Sequence, residues 1–472
     1  MCINTKHVTN IKVKFKFKIF LLLGMLLLTG YGTRAQFILP ENFNKPKAEA
    51  NTGQKDANDV QGDVFINIKP GARNGVFKNA DDIIYNLKVT NNYTVSQQGV
   101  LTCFVTTDEN QPVYLDSVKV NMGKNSINHY RFKINASQPG FYKIGFAFHL
   151  TYYDDTVKRV FGLKPLLLTT ETRKPADFDS FWQSTLDTLK TVNPQYKVTL
   201  QPALSVNNKK VYLVEMHSWG NAVIRGWLSI PNERDKKIAV KYRLPGYVVK
   251  AEHSVDDDDF AVFNINVRGN GNSADAIDTH GEYNLYNLEN RDTYVYRSVY
   301  MDCVRGLDFL ASHADMGLDT AKIMVDGASQ GGTLVIALAA LDKRVKIVTC
   351  EVPLYADFRK ALEITKLDPK SQTPVGMIAK YQRTHPNFTN EKLFKVWDYY
   401  DPLNFAPMVK CPVLMGIGLL DQFCPPRCSF VLYNQLKNKN NEIWASPDKT
   451  HEVDGLYYTY QYLWFQDLLR LP

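Results

Sequence analysis

Cysteine is scarce in this sequence, with 7 among 472 residues. No CxxC pair and no cysteine and histidine spacing typical of a zinc site occurs, so we predict no metal centre. Cys424 and Cys428, in "FCPPRC", are close enough in sequence to form a disulfide in an oxidising compartment. Free buried thiols are the alternative.

Net charge is also small once the N-terminus is set aside, although the formal net charge of the whole chain is +8. Residues 1–35 contain no acidic residue and supply six of these charges, from Lys6, Lys12, Lys14, Lys16, Lys18 and Arg34. The rest of the chain therefore carries a net charge of only +2. Such a small charge gives no electrostatic reason to predict a nucleic-acid partner.

The apolar run near the N-terminus, "IFLLLGMLLLTG", is too short to span a bilayer comfortably. It follows the lysine-rich "KVKFKFK" and precedes "TRA", which places small residues three and one positions before Gln36. These features predict a cleaved signal peptide over residues 1–35 and a periplasmic or secreted protein with no stable membrane anchor after cleavage. An uncleaved N-terminal anchor is the alternative.

The length predicts two domains, and the composition changes along the chain accordingly. Residues 36–61 are polar and rich in proline and asparagine, which is typical of a linker. Residues 62–168 contain about seven short alternating segments, among them "DVFINIK", "IIYNLKV" and "FYKIGFAFHL". This pattern predicts an all-β immunoglobulin-like sandwich.

Residues 169–472 alternate strand-like and helical segments. Continuous apolar strands such as "FAVFNINV", "KIVTCEV" and "PVLMGIG" alternate with helical patterns such as Val299, Cys303, Leu307 and Leu310. Apolar strands of this kind are buried on both faces, so we predict an α/β domain with a mostly parallel central sheet covered by helices on both sides.

One segment of this domain, "KIMVDGASQGGTLVIALAAL", places Ser329 where a strand turns into a helix. Gly327 and Gly331 lie two residues before and after it and leave room for a close approach of backbone. This G-x-S-x-G pattern is typical of the nucleophile elbow of α/β-hydrolases, which aims the amides of the following helix at a developing oxyanion. We therefore predict Ser329 as a nucleophile.

A serine nucleophile needs a base, and the base needs an orienting acid that lies between them in the chain order of this fold. Of the two histidines after Ser329, His451 lies in a loop before the last helix, whereas His385 is predicted to be a surface residue. Asp421 ends the strand-like "PVLMGIGLLD" and is the predicted acid. The competing acids are Asp357, Asp401 and Asp448.

Several separate motifs, in the right order, resemble the acetyl xylan esterase and cephalosporin-C deacetylase group, carbohydrate esterase family 7. They are "ADFDSFWQSTL", "VRGNGNS", "YMDCVRGLDFL", "VDGASQGGTLVIALAALDKRVK", "YYDPLNFAPMVKCPVLMGIGLLDQFCPP" and "THEV", and they cover roughly residues 170–472. The resemblance implies an α/β-hydrolase fold that removes acetyl groups from sugars and similar esters. It also implies Ser329 as nucleophile, Asp421 as orienting acid and His451 as general base.

The chain departs from this group after an early strand, where the group usually carries a His-Gly-Tyr-Gly-like segment. Here the sequence is "YRLPGYVVK", so Pro245 replaces the histidine and Val248 the second glycine. We assign the oxyanion hole to the backbone N–H groups of Tyr247 and Gln330. The compact members of the group lack the β-sandwich, so their ring-shaped hexamers cannot be assumed here, and a homo-oligomer stays open.

Together these features predict an exported serine esterase that removes O-acetyl groups from acetylated xylan or xylo-oligosaccharides through an acyl-enzyme, without a metal or organic cofactor. Another α/β-hydrolase, acting as a peptidase or a longer-acyl esterase, could use the same three residues. A non-catalytic carbohydrate-binding protein is the second alternative.

Overall fold

The computed structural model describes residues 60–171, 173–206, 208–232 and 236–469. The predicted signal peptide, 1–35, and all but the last two residues of the predicted linker, 36–61, lie outside the described residues. What is described belongs to one compact unit, residues 55–472. None of the helices in these ranges is both long and apolar enough to cross a membrane.

The N-terminal part consists of two β-sheets that share a core. One sheet has the strand order β1-β3-β6, and the other has the order β2-β8-β7-β4-β5. The strands are β1 Val64–Pro70, β2 Val76–Phe77, β3 Ile84–Asn91, β4 Gln97–Thr107, β5 Pro112–Met122, β6 Ser126–Lys133, β7 Gly140–Leu150 and β8 Asp154–Leu163.

Alternation along the strands builds this core. In β3, Tyr85, Leu87 and Val89 are buried while the residues between them are exposed or half-buried. Because successive side chains of a strand point to opposite faces, these three residues meet Phe146 and Phe161 of the second sheet. The predicted β-sandwich is confirmed.

The C-terminal part is built on a nine-stranded sheet with the order β17-β16-β15-β14-β12-β13-β11-β10-β9. The pairs from β13 through β12 and β14 to β17 are parallel, and those among β9, β10, β11 and β13 are antiparallel. The strands are β9 Lys197–Leu200, β10 Lys209–His217, β11 Val223–Pro231, β12 Ile238–Leu244, β13 Ala261–Asn266, β14 Leu318–Ala328, β15 Ile347–Glu351, β16 Val413–Gly418 and β17 Glu442–Ser446.

Two cores cover the two faces of this sheet. In β14, Ile323 and Val325 belong to a large core that draws on α1 to α8, whereas Met324 between them belongs to a smaller core with α9. The helices are α1 Phe178–Thr191, α2 Val295–Ser312, α3 Gln330–Leu341, α4 Phe358–Thr365, α5 Pro374–Thr384, α6 Asn390–Trp397, α7 Pro402–Phe405, α8 Pro426–Gln435 and α9 Gly455–Leu469. The predicted mostly parallel sheet with helices on both sides is confirmed.

The topology decides where chemistry can take place. β14, β15, β16 and β17 are parallel neighbours, so the loops that leave their carboxyl ends meet at one edge of the sheet. Ser329 follows β14, Asp421 follows β16 and His451 follows β17. Residues far apart in sequence are therefore brought to the same edge.

Candidate active site

Ser329 lies in the sharp turn between β14 and α3. Its φ of 58° and ψ of −120° fall in a region that residues other than glycine rarely adopt. A backbone of this kind is typical of a nucleophile elbow, in which the turn presents the serine hydroxyl at the amino-terminal end of the following helix. The structure thus places Ser329 between a strand and a helix.

Two glycines make this turn sterically possible. A Cβ atom on Gly327 would lie 2.5 Å from the carbonyl oxygen of Gly331, and a Cβ on Gly331 would lie 2.4 Å from that of Leu244. Both neighbours are backbone atoms, which cannot rotate away as a side chain can. Any larger residue at Gly327 would therefore force the two sides of the elbow apart, and any larger residue at Gly331 would force the elbow away from β12.

Asp421 and His451 form a hydrogen-bonded pair. His451 Nδ1 lies 2.9 Å from Asp421 Oδ2, and the Asp421 side chain is almost completely buried. The other carboxylate oxygen, Oδ1, accepts the backbone N–H groups of Phe423 at 2.8 Å and Cys424 at 2.9 Å. Because a carboxylate only accepts, His451 donates from Nδ1, and its Nε2 is left as an acceptor suited to a general base.

The loops that carry these two residues are joined to each other. Leu420 N donates to Lys449 O at 2.9 Å, and Leu419 N donates to Ser446 O at 3.0 Å. A Cβ on Gly418 would lie 1.9 Å from the carbonyl oxygen of Thr450, so only glycine allows the loops to approach this closely. We call residues 419–425 the acid loop and residues 447–453 the base loop.

The hydroxyl of Ser329 has no hydrogen-bond partner among the described residues, His451 included. Bonds between nucleophile and base are often long before substrate binds. The structure therefore brings the acid and the base into contact and places the serine at the same sheet edge. The roles of the three residues stay a prediction.

The two predicted oxyanion donors are held by the side chain of Gln330. Tyr247 lies in the turn after β12, and Gln330 is the first residue of α3. Gln330 Nε2 donates to Gly246 O at 3.3 Å, while its Oε1 accepts the Tyr296 hydroxyl at 2.7 Å. Within the described ranges, neither the N–H of Tyr247 nor that of Gln330 has an acceptor, so both are available to an oxyanion.

Val248, which replaces the second glycine of the His-Gly-Tyr-Gly-like segment, has a strained backbone in this turn. Its φ is 49°, in the left-handed region, and 53% of it is exposed. A β-branched residue is strained in this region by about 1–2 kcal/mol. The valine that stands where the related group has glycine therefore keeps the turn but strains it.

The competing acid Asp401 is committed elsewhere. Its Oδ1 accepts the N–H of Leu403 at 2.9 Å, and its Oδ2 accepts the N–H of Phe358 at 2.8 Å, so it caps α7. Burial, with the nearby Asp357 carboxylate, raises the pKa of Asp401 to about 8. An acid that is protonated near neutral pH cannot stabilise an imidazolium.

The remaining competitors have partners other than His451. Asp357 lies before α4 and accepts the Thr170 hydroxyl at 3.4 Å. Asp448 pairs with Arg159 of the β-sandwich at 2.9 Å. His385 is exposed at the end of α5, as predicted for a surface residue.

The donor atoms of Asp421, Cys424 and His451 lie within 4.8 Å of one another, which is close enough for three ligands of one metal ion. Metal ligation needs a thiolate, however, and burial raises the pKa of the Cys424 thiol well above its usual range. The hydrogen bond to Asp421 also occupies Nδ1 of His451, so this nitrogen is not free to bind a metal ion. These residues fit a hydrogen-bonded pair better than a metal site.

The disulfide considered for Cys424 and Cys428 is not formed, and both residues are buried free thiols. Cys424 lies in the acid loop, whereas Cys428 lies in the first turn of α8 after Pro425 and Pro426. Burial raises the pKa of both thiols well above the usual range, so neither is readily oxidised.

Two features of the site were missed in the sequence. The ring of Phe423 stacks on the imidazole of His451, with centroids 5.0 Å apart and an angle of 27° between the planes. The second is the Gln330 side chain, which joins the oxyanion turn to the elbow. The position of Phe423, two residues after the predicted acid, indicated that it lies near the site, but whether its ring faces His451 depends on the fold.

A buried acid, Glu351, lies directly behind the elbow. Its backbone oxygen accepts the N–H of Ser329 at 2.9 Å. Its side chain accepts the hydroxyl of Tyr458 at 3.2 Å and the amide of Gln461 at 3.5 Å, both from α9. Burial and the nearby Asp326 carboxylate raise the pKa of Glu351 well above its usual range.

We expect Glu351→Gln to remove part of the loss of stability that the protein shows as pH rises from about 5 to 8. Because the folded-state pKa is the higher one, the folded protein keeps a proton that the unfolded chain releases, and stability falls as pH rises from about 4.5 toward the folded pKa. Between pH 5 and 8 the free energy of unfolding should fall more steeply in the wild type, by up to about 1.4 kcal/mol per pH unit. The free energy of unfolding is measured by urea denaturation of both proteins at each pH. Asp401 is present in both, so its contribution cancels in the difference between them. Parallel plots of unfolding free energy against pH for the two proteins would contradict the expectation.

The arrangement described so far is that of the α/β-hydrolases. A serine at a strand–turn–helix elbow is followed in the chain by an acid and a histidine, and all three lie at the carboxyl edge of a mostly parallel sheet. The family model of acetyl xylan esterase (AXE1) matches residues 167–468, and the chain belongs to this family. It is a carboxylic ester hydrolase, and both the resemblance and the predicted enzyme class are confirmed.

Individual relatives agree. Acetyl esterase Axe7A of Xylanibacter ruminicola is 28% identical over 324 residues, which cover 66% of this chain and 71% of that protein. The crystal structure of acetyl xylan esterase 1 from Thermoanaerobacterium sp. JW/SL YS485 is similar with a TM-score of 0.57 and 26% identity, over 65% of this chain and 98% of that one. Acetyl xylan esterase from Paenibacillus sp. R4 gives a TM-score of 0.57 and 25% identity, over 64% and 98%.

Proposed function

We propose that this protein hydrolyses O-acetyl esters of acetylated xylan or xylo-oligosaccharides through an acetyl-enzyme on Ser329. The observation that carries the proposal is the 2.9 Å hydrogen bond between His451 and Asp421 at the sheet edge where Ser329 forms its elbow. The membership in the acetyl xylan esterase family supports the substrate class.

In the acylation step, Ser329 Oγ attacks the acetyl carbonyl carbon while His451 Nε2 takes the hydroxyl proton. The carbonyl oxygen becomes an oxyanion that accepts the N–H groups of Tyr247 and Gln330. The intermediate then collapses as the bond to the sugar oxygen breaks, and His451 returns the proton to that oxygen. Asp421 keeps the imidazole in the required tautomer and stabilises its charged form.

In the deacylation step, water takes the place of the sugar. His451 removes a proton from the water, the hydroxide adds to the acetyl carbon, and the second tetrahedral intermediate releases acetate. His451 then returns the proton to Ser329 Oγ. The ring of Phe423, stacked on the imidazole, covers one face of the base through both steps.

The substrate class is tested by acetate release from acetylated xylo-oligosaccharides, together with 4-nitrophenyl acetate, 4-nitrophenyl butyrate and a peptide anilide. We expect release of acetate from the oligosaccharides and a kcat/KM at least about ten-fold higher for the acetyl than for the butyryl ester, the discrimination by two methylenes that an enzyme selective for acetyl would show. Faster turnover of the butyryl ester would instead indicate a longer-acyl esterase, and cleavage of the anilide a peptidase.

We also propose that the enzyme acts outside the cytoplasm. The support is the sequence of residues 1–35, with its basic start, short apolar run and small residues before Gln36. The first residue of the exported protein, read by mass spectrometry, should be Gln36. An intact N-terminus in a membrane-bound fraction would instead indicate an uncleaved anchor.

A further inference from the structure

The β-sandwich touches the active-site loops. The turn that leads from β1 to β2 packs on the acid loop and on the base loop, and β8 forms an ion pair with the base loop. Both contacts lie close in sequence to predicted triad residues, Asp421 and His451. This placement is not required for a domain that merely binds substrate.

Gly75 forms the closest of these contacts. It adopts a φ of +70°, and a Cβ atom built on it would lie 2.7 Å from Leu419 Cδ1 and 3.3 Å from Pro447 Cβ. Leu419 is buried and lies two residues before Asp421, while Pro447 begins the base loop. The backbone of Gly75 thus lies directly against one side chain of each loop, and a methyl group here would require the buried Leu419 side chain to shift.

Two ion pairs also join the sandwich to the hydrolase domain, one at the base loop and one next to the acid loop. Arg159 of β8 lies 2.9 Å from Asp448, three residues before His451. Arg427, which follows the acid loop in the first turn of α8, makes two contacts with Asp108 of the sandwich, at 2.5 Å and 3.3 Å. The second pair is largely buried and bidentate, the geometry that restricts an arginine most.

The interface between these groups is apolar, like a core. Phe141 of β7 is buried among the residues of the large hydrolase core, and its ring lies 5.4 Å from that of Phe430 in α8. Val76 and Val160 pack against the same core. An apolar interface holds two domains in a fixed relation, whereas a polar one allows relative motion.

We propose that the β-sandwich is a positioning element of the active site. Through Gly75 and Arg159 it fixes the acid and base loops and hence the orientation of Asp421 and His451. The family match begins only at residue 167, and a solved relative is covered to 98% by 65% of this chain, so about a third of this chain has no counterpart there. In this chain the support for the two loops comes from outside the hydrolase domain.

The inference rests on the proposed triad, and it is tested with Gly75→Ala in the full chain on 4-nitrophenyl acetate. The added methyl group must shift the Leu419 side chain, which is buried and can move only by pressing on the acid loop that carries Asp421. A misplaced catalytic group commonly lowers turnover on the order of ten-fold or more. We therefore expect kcat to fall about ten-fold while KM changes less than about two-fold, because the triad is disturbed and substrate binding is not.

Gly220→Ala is the matched control. Gly220 also has a positive φ, of +66°, but its Cβ would meet nothing within 4 Å, so it carries the same backbone strain without the contact. Its kcat should stay within about two-fold of the parent. The reciprocal variant is Leu419→Ala: in that background the clash with Leu419 is gone and only the looser 3.3 Å approach to Pro447 remains, so Gly75→Ala should lower kcat less than about two-fold.

The outcomes are distinct. Equal values of kcat in Gly75→Ala and Gly220→Ala, or a loss in Gly75→Ala that Leu419→Ala leaves unchanged, would overturn the inference. If Gly75→Ala does not fold, Arg159→Met should lower kcat about three-fold and Arg159→Lys should restore it, as expected for an exposed ion pair; no loss in Arg159→Met would overturn it. Failure of the proposed triad is separate, since it would appear as turnover that survives Ser329→Ala.

Discussion

Replacing Ser329 with alanine is expected to lower kcat on 4-nitrophenyl acetate about ten-thousand-fold or more. The variant has no oxygen that could be acetylated, so the reaction must proceed by direct attack of water in a site that is built around the elbow. The oxyanion donors at Tyr247 and Gln330 stay in place, which leaves some turnover above the uncatalysed rate. Alanine has the same backbone preferences as serine at a φ of 58°, so the midpoint of thermal unfolding should hardly change.

Ser229→Ala provides the matched control for this variant. Ser229 is also a buried serine of the same sheet whose hydroxyl has no partner among the described residues, but it lies within β11 and not at the elbow. Its removal should leave kcat within about two-fold of the parent, since it takes away no interaction. If Ser329→Ala keeps more than about a hundredth of the parent turnover, Ser329 is not the nucleophile.

The architecture was predictable because its signals are local. The run "IMV" before Ser329 and the run "LVIALAAL" after it are apolar, and the glycines on either side report a close approach that the structure finds at Leu244. The alternation of Tyr85, Leu87 and Val89 likewise identified a sandwich strand. Periodicity of this kind depends only on neighbours in the chain.

The choice among the acids was harder, since it depends on the direction of side chains. Asp401, Asp421 and Asp448 all lie in loops near the ends of late elements. Only the fold shows that Asp401 is used by backbone N–H groups and that Asp448 points to Arg159, 289 residues earlier in the chain. For the same reason, the sequence could not assign a role to the β-sandwich, because Gly75 and Leu419 meet only in the folded protein.

Asp421→Asn is expected to lower kcat about ten-thousand-fold, nearly as much as the loss of Ser329. The carboxylate oxygen Oδ1 accepts the N–H groups of Phe423 and Cys424, so the asparagine must keep its amide oxygen there. Its NH2 group then replaces Oδ2 and donates to His451 Nδ1. The imidazole is forced to carry its proton on Nε2, and that nitrogen can no longer accept the proton of Ser329.

Asp448→Asn separates this effect from a general loss of negative charge near His451. This substitution makes the same chemical change in the base loop but weakens only the ion pair with Arg159. The side chain of Asp448 is 71% exposed, so this pair is weak and kcat should fall no more than about three-fold. A rate measured for both variants under the same conditions decides the assignment. If Asp448→Asn lowers kcat as much as Asp421→Asn does, His451 responds to the total charge of its surroundings. The expected difference of about three orders of magnitude between the two variants would mean that the single hydrogen bond to Asp421 determines the tautomer of His451.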